Sequence, residues 1–95
     1  MFFKPNDEKY VVIAAGTWGR GTTLLEAAKH AGIGAKKQRA IVVRATYPIT
    51  DVWVDEHGWI RTEYDENVPS EYRPDYIVEP CRLSIRKGEV NAIIL

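Results

Sequence analysis

Asp51-Val52-Trp53-Val54-Asp55-Glu56-His57-Gly58-Trp59-Ile60-Arg61-Thr62-Glu63-Tyr64 holds two alternating apolar and polar stretches around a glycine-bearing turn. This is the pattern of an antiparallel hairpin: successive strand residues face opposite sides, and the reversal needs a residue that tolerates positive φ. Loop length decides the facing. A three-residue loop, Glu56-His57-Gly58, sets Asp55 opposite Trp59 and groups Val52, Val54, Ile60, Thr62 and Tyr64 on one side. Trp53, Asp55, Trp59, Arg61 and Glu63 then share the other. A two- or four-residue loop would put Val52 and Val54 beside Arg61 and Glu63, so the pattern selects three.

Upstream, Lys9-Tyr10-Val11-Val12-Ile13-Ala14-Ala15 is a nearly continuous apolar run, as expected of a strand covered on both faces. The three glycines of Gly16-Thr17-Trp18-Gly19-Arg20-Gly21 read as a turn. Thr23 then caps a helix with Glu26 reciprocating, Leu24, Leu25, Ala28 and Ala31 form its apolar stripe, and Gly32 and Gly34 end it. A second strand follows the basic connector Ala35-Lys36-Lys37-Gln38-Arg39, with Ile41, Val43, Ala45 and Tyr47 opposed to Ala40, Val42, Arg44 and Thr46, and Pro48 ends it.

Downstream, Pro69, Pro74 and Pro80 punctuate an ordered connector, with one helical turn at Pro69-Ser70-Glu71-Tyr72. Asp75–Glu79, bounded by prolines, reads as a short edge strand. A last hairpin turning at Lys87-Gly88 points Cys81, Leu83, Ile85, Val90, Ala92 and Ile94 one way. The expected architecture is a single small α+β domain over residues 1–95. It has one helix on one face of a mostly antiparallel sheet of about five or six strands, with Tyr10–Ala15 central.

The 95 residues are 45% hydrophobic, 11% aromatic and 27% charged, enough apolar surface for one core and too short a chain for two. The single cysteine, Cys81, forms no intramolecular disulfide, which favours a reducing, cytoplasmic setting. Met1–Glu8 lacks the apolar h-region of a signal peptide and no apolar run approaches the ~20 residues of a membrane span, so neither export nor a membrane is expected.

Thirteen basic and thirteen acidic residues cancel, yet they are unevenly placed. Residues 1–50 hold eight Lys/Arg and three Asp/Glu, whereas residues 51–79 set nine Asp/Glu against only Arg61 and Arg73. The same acidic segment carries Trp53, Trp59, Tyr64, Tyr72 and Tyr76. Aromatic side chains supply contact energy and carboxylates supply steering, a pairing that suits recognition of a basic protein surface.

Catalytic chemistry lacks parts. Gly16–Thr23 fits G-x-x-x-x-G followed by two threonines, but Thr22 stands where a phosphate loop needs its lysine. His30, His57 and Cys81 have no metal-ligand spacing, so no metal and no cofactor is expected. Gly21-Thr22-Thr23-Leu24-Leu25-Glu26-Ala27-Ala28-Lys29-His30-Ala31 resembles the G-x-T-L-x-E-A-x-x-x-A helix of HicB-like antitoxins over eleven residues. The resemblance is one of helix grammar; it implies a small sheet-plus-helix domain that binds another protein and assigns no site residue.

The expected function is therefore a noncatalytic protein-binding module, an inhibitor or adaptor. It would engage a basic partner surface, such as one that normally holds nucleic acid, through Trp53, Asp55, Trp59, Glu63 and Tyr72. One alternative is direct nucleic-acid binding by the basic cluster Lys29, Lys36, Lys37, Arg39 and Arg44. The other is a phosphate or carboxylate ligand held by Arg20, Gly21, Thr22 and Thr23.

Overall fold

The computed structural model describes residues 8–95, so the reading of the first seven residues lies outside the described part of the chain. Seven strands, one α-helix and one 3-10 turn follow in the order β1 Glu8–Ala14, β2 Thr17–Gly21, α1 Leu24–His30, β3 Gln38–Thr46, β4 Ile49–Val54, β5 Ile60–Tyr64, η1 Ser70–Tyr72, β6 Ile77–Arg86 and β7 Glu89–Ile94. Five strands form one antiparallel sheet in the order β2-β1-β3-β6-β7, and β4 and β5 form a separate two-stranded sheet. The fold is α+β, with the helix on one face of a mostly antiparallel sheet. The strand run from Tyr10 lies inside the sheet between β2 and β3, and β3 holds the middle position.

Alternation splits the core into two layers, one on each face of the five-stranded sheet. On the helix face, Val12, Ala40, Cys81 and Leu83 pack beneath Ala27, Ala28 and Ala31. Ala27, rather than Leu25, joins Ala28 on the buried side of the helix. On the opposite face, Val11, Val43 and Ala45 meet Ile49, Val52 and Val54 of the β4–β5 hairpin, with Ile60 and Tyr64 packed alongside. The hairpin covers only part of its face, and Ile41, Val78 and Ile93 of β3, β6 and β7 remain exposed.

Both expected hairpins form in the expected register. Val54 pairs with Ile60 and Trp53 with Arg61, while Gly58, at φ 84°, closes a loop in which the Asp55 N–H donates to the Trp59 carbonyl at 2.9 Å. In the C-terminal hairpin Cys81, Leu83 and Ile85 pair with Ile94, Ala92 and Val90 around Lys87 and Gly88. Their φ values of 53° and 74° match the right-handed twist of the flanking strands.

Two readings are corrected. Thr17–Gly21 is a strand, paired with β1 from Ala14↔Thr17 to Tyr10↔Gly21, and the turn is confined to Ala15 and Gly16. Gly19 and Gly21 serve close approach instead of chain reversal: a Cβ on Gly19 would lie 2.3 Å from the Ala31 nitrogen, and one on Gly21 2.7 Å from the Glu26 Cβ. The helix therefore rests directly on the backbone of β2.

The second correction concerns Pro80. Residues 77–79 belong to the long inner strand β6, which runs through the proline and pairs with β3 along Ile41↔Pro80. The Pro80 carbonyl accepts from the Leu95 N–H at 3.1 Å, so its imide nitrogen also faces the β7 side, just where β7 stops. The missing donor thus falls outside the β3 ladder, and the strand tolerates it.

Candidate functional site

Because Val52, Val54 and Ile60 point into the core, their neighbours Trp53, Asp55, Trp59, Arg61 and Glu63 form the outer face of the hairpin. Trp59 is 66% exposed, and it sits diagonally across the two strands from half-buried Trp53.

Asp55 fixes the loop that presents Trp59. Its Oδ1 accepts the backbone N–H groups of His57 and Trp59, each at 2.9 Å, and its Oδ2 accepts Arg61 Nε at 2.7 Å. The hydrogen bond from Arg61, reinforced by the Trp59 amide, holds the Asp55 carboxyl below the usual carboxylate range. Its charge is spent within the hairpin, so Asp55 positions the loop.

The same side of the molecule receives two residues from β2. Trp18 and Arg20 alternate with the glycines that face the helix, so they point toward the hairpin. Arg20 Nη1 reaches the two carboxylate oxygens of Asp51 at 2.9 and 3.1 Å. Trp18, Arg20, Asp51, Trp53 and Glu63 line a cleft of about 260 Å³ between β2 and the hairpin. The sequence reading missed Trp18 by placing it in a turn; the parity of Trp18 and Arg20 against Gly19 and Gly21 was the signal for a strand. With Asp51 paired to Arg20 and Asp55 to Arg61, Glu63 is the outer-face carboxylate without an ion-pair partner among the described residues.

Tyr72, 72% exposed, stands on a different element. Its turn η1 is tied to the inner-face residue Tyr64, whose hydroxyl donates to the Pro74 carbonyl at 2.8 Å and whose ring lies 5.1 Å from the Arg73 guanidinium. Those contacts anchor Tyr72 to the end of β5, away from the strand positions that carry Trp53 and Trp59.

The four residues considered for an anion are engaged with one another or with acids. Arg20 carries Asp51, the Thr22 hydroxyl donates to Glu26 Oε2 at 3.2 Å, and Thr23 Oγ1 accepts the Glu26 N–H at 3.1 Å. Gly21 is occupied by its contact with the helix. The adjoining cleft, about 310 Å³, is lined by both Glu26 and Asp51.

The basic cluster divides as well. Lys29 is on the helix, Lys36 and Lys37 are in the connection to β3, and Arg39 and Arg44 differ by an odd number of strand positions and so face opposite sides of the sheet. Histidine chemistry is local: His30 Nδ1 lies 2.8 Å from the Arg20 carbonyl, and His57 lies 3.6 Å from Glu56. Among the described residues no three His, Cys, Asp or Glu side chains gather as a metal site, and no helix is long and apolar enough to cross a membrane.

No family model, curated protein or solved structure matches this chain. The functional reading therefore rests on the geometry of the hairpin face.

Proposed function

We propose that this chain is a noncatalytic protein-binding module, an inhibitor or adaptor, whose contact face is the outer side of the β4–β5 hairpin together with Trp18. The observation that carries this reading is the gathering of all three tryptophans of the chain on one side of the sheet: Trp18 and Trp53 share a cleft, and Trp59 is exposed beside them. An exposed indole on a pinned loop offers a large preorganised contact, and aromatic anchors near a cleft dominate the energy of protein interfaces. Glu63 in the cleft and Glu56 in the loop, both exposed, supply the negative rim that favours a basic partner. The unpaired, buried thiol of Cys81 is compatible with work in the cytoplasm.

The test begins with photo-crosslinking from position 57, in the loop beside Trp59, followed by purification of whatever is captured. A true partner binds the purified chain and loses about 2 kcal/mol of affinity with Trp59→Ala, while the variant keeps its melting temperature. A captured protein that binds the variant and the parent equally would remove the hairpin face from consideration.

A further inference from the structure

A further cleft lies on the helix face, on the opposite side of the sheet from the tryptophans. The seven-residue helix begins at Leu24 and leaves the sheet uncovered beyond it. Leu24, Val42, Ala92 and Ile94 wall a hollow of about 220 Å³ there, floored in part by buried Cys81. Two charged side chains join this apolar lining, Arg44 of β3 and Glu79 of β6, with Tyr10 beside Arg44 in the β1–β3 register.

Arg44 gives the hollow its chemistry. Its Nε is buried and has no hydrogen-bond partner among the described residues, an unusual state for a guanidinium nitrogen, since a desolvated donor left unmade is costly. Glu79 pairs neither with it nor with any other described cation within ion-pair distance, although the two are diagonal neighbours across β3 and β6. A planar guanidinium that lines an apolar hollow can take a carboxylate through parallel N–H donors.

We infer that this hollow is a binding site for a small monocarboxylate with a compact apolar body, its carboxylate on Arg44 and its hydrocarbon part against Leu24, Val42, Ala92 and Ile94. The carboxylate supplies the counter-charge that Glu79 does not give Arg44. Glu79 at the same cleft repels a second negative group and so selects against dicarboxylates. Cys81 contributes apolar lining and not a nucleophile, since burial, helped by the charge of Glu79, pushes its thiol pKa up and keeps it neutral. The site uses no residue of the hairpin face, so the two readings stand or fall separately.

Hexanoate and phenylacetate, each paired with its neutral amide, are the probes, titrated into the isotope-labelled 95-residue chain and followed by backbone amide shifts. Saturable shifts are expected at Val42, Cys81, Ala92 and Ile94, with each acid binding at least about tenfold tighter than its amide, as charge-assisted hydrogen bonds imply. Arg44→Met, which keeps the apolar stem, should erase that preference, and Glu79→Gln should extend binding to glutarate. Shifts that do not saturate, an acid and amide of equal affinity, or a preference that survives Arg44→Met would each overturn the assignment. The acid-to-amide comparison uses the unaltered chain and so decides the matter even if Arg44→Met does not fold.

Discussion

Gly19 lies so close beneath Ala31 that a Cβ added to it would come within 2.3 Å of the Ala31 backbone nitrogen. Neither backbone can yield independently, because β2 is laddered to β1 and the helix is seated on the same core through Ala27 and Ala28.

Gly19→Ala should therefore destabilise the fold by about 3 kcal/mol, at the upper end of overpacking effects. Gly16→Ala tests the contrasting mechanism. Open space surrounds Gly16, and its cost should come only from φ 72°, roughly 1 kcal/mol. Urea denaturation of the two variants separates them, and equal midpoints would contradict the close-packed helix.

Leu83 is fully buried in the layer under the helix. Leu83→Ala should lose about 2–5 kcal/mol, the transfer term plus the residual cavity. Trp59→Ala, by contrast, should change stability by less than about 0.5 kcal/mol, as surface substitutions do. Thermal unfolding followed by circular dichroism reads both, and a large loss with Trp59→Ala would make that indole a core residue.

The Asp55 carboxyl titrates below its unfolded range, so the stability it contributes is present above the ordinary carboxylate pKa and is lost as pH falls through its lowered folded value. The N–H signals of His57 and Trp59, which donate to Oδ1, should hold their positions through mild acid and move together only when that low pKa is crossed. Asp55→Asn should remove the acid transition from both amides. Amides that titrate in the normal carboxylate range would show that the network does not persist in solution.

Tyr47 has the opposite behaviour. Burial, then the neighbouring Asp65 that accepts from its hydroxyl at 3.3 Å, raises the phenol pKa. Ionisation in the folded state is disfavoured, so the proton is held more tightly than in the unfolded chain. The contribution is complete below the ordinary tyrosine pKa and disappears as pH rises through the raised folded value. Spectrophotometric titration should show a late tyrosine ionisation that Tyr47→Phe abolishes.

Local periodicity made much of this fold legible. The 51–64 and 81–94 hairpins follow from alternation alone, since a one-residue slip would expose Val52 and Val54 or Leu83 and Ile85. The strand at Thr17–Gly21 was hidden because glycine signals a turn locally, whereas Gly19 and Gly21 answer a tertiary demand, the seat of the helix. Pro80 misled for a related reason: its cost depends on which neighbour its nitrogen faces, and that is decided where β7 ends. At the candidate site, parity paired Trp53 with Trp59, but the Arg20–Asp51 bridge spans 31 positions and no local pattern announces it. Consequently the acidic count of the segment overstates the charge on the hairpin face.

The hairpin of β4 and β5 belongs to its own sheet and meets the larger one through side chains, without a shared ladder of strand hydrogen bonds. Such an attachment lets the hairpin open as a separate cooperative unit, so its amides should exchange with solvent sooner than those of β1 and β3. A partner clasping Trp59 would then act as a latch. Occupancy of the outer face would slow exchange at Val11 and Val43 on the sheet beneath, turning the hairpin into a reporter of binding read from residues the partner never touches.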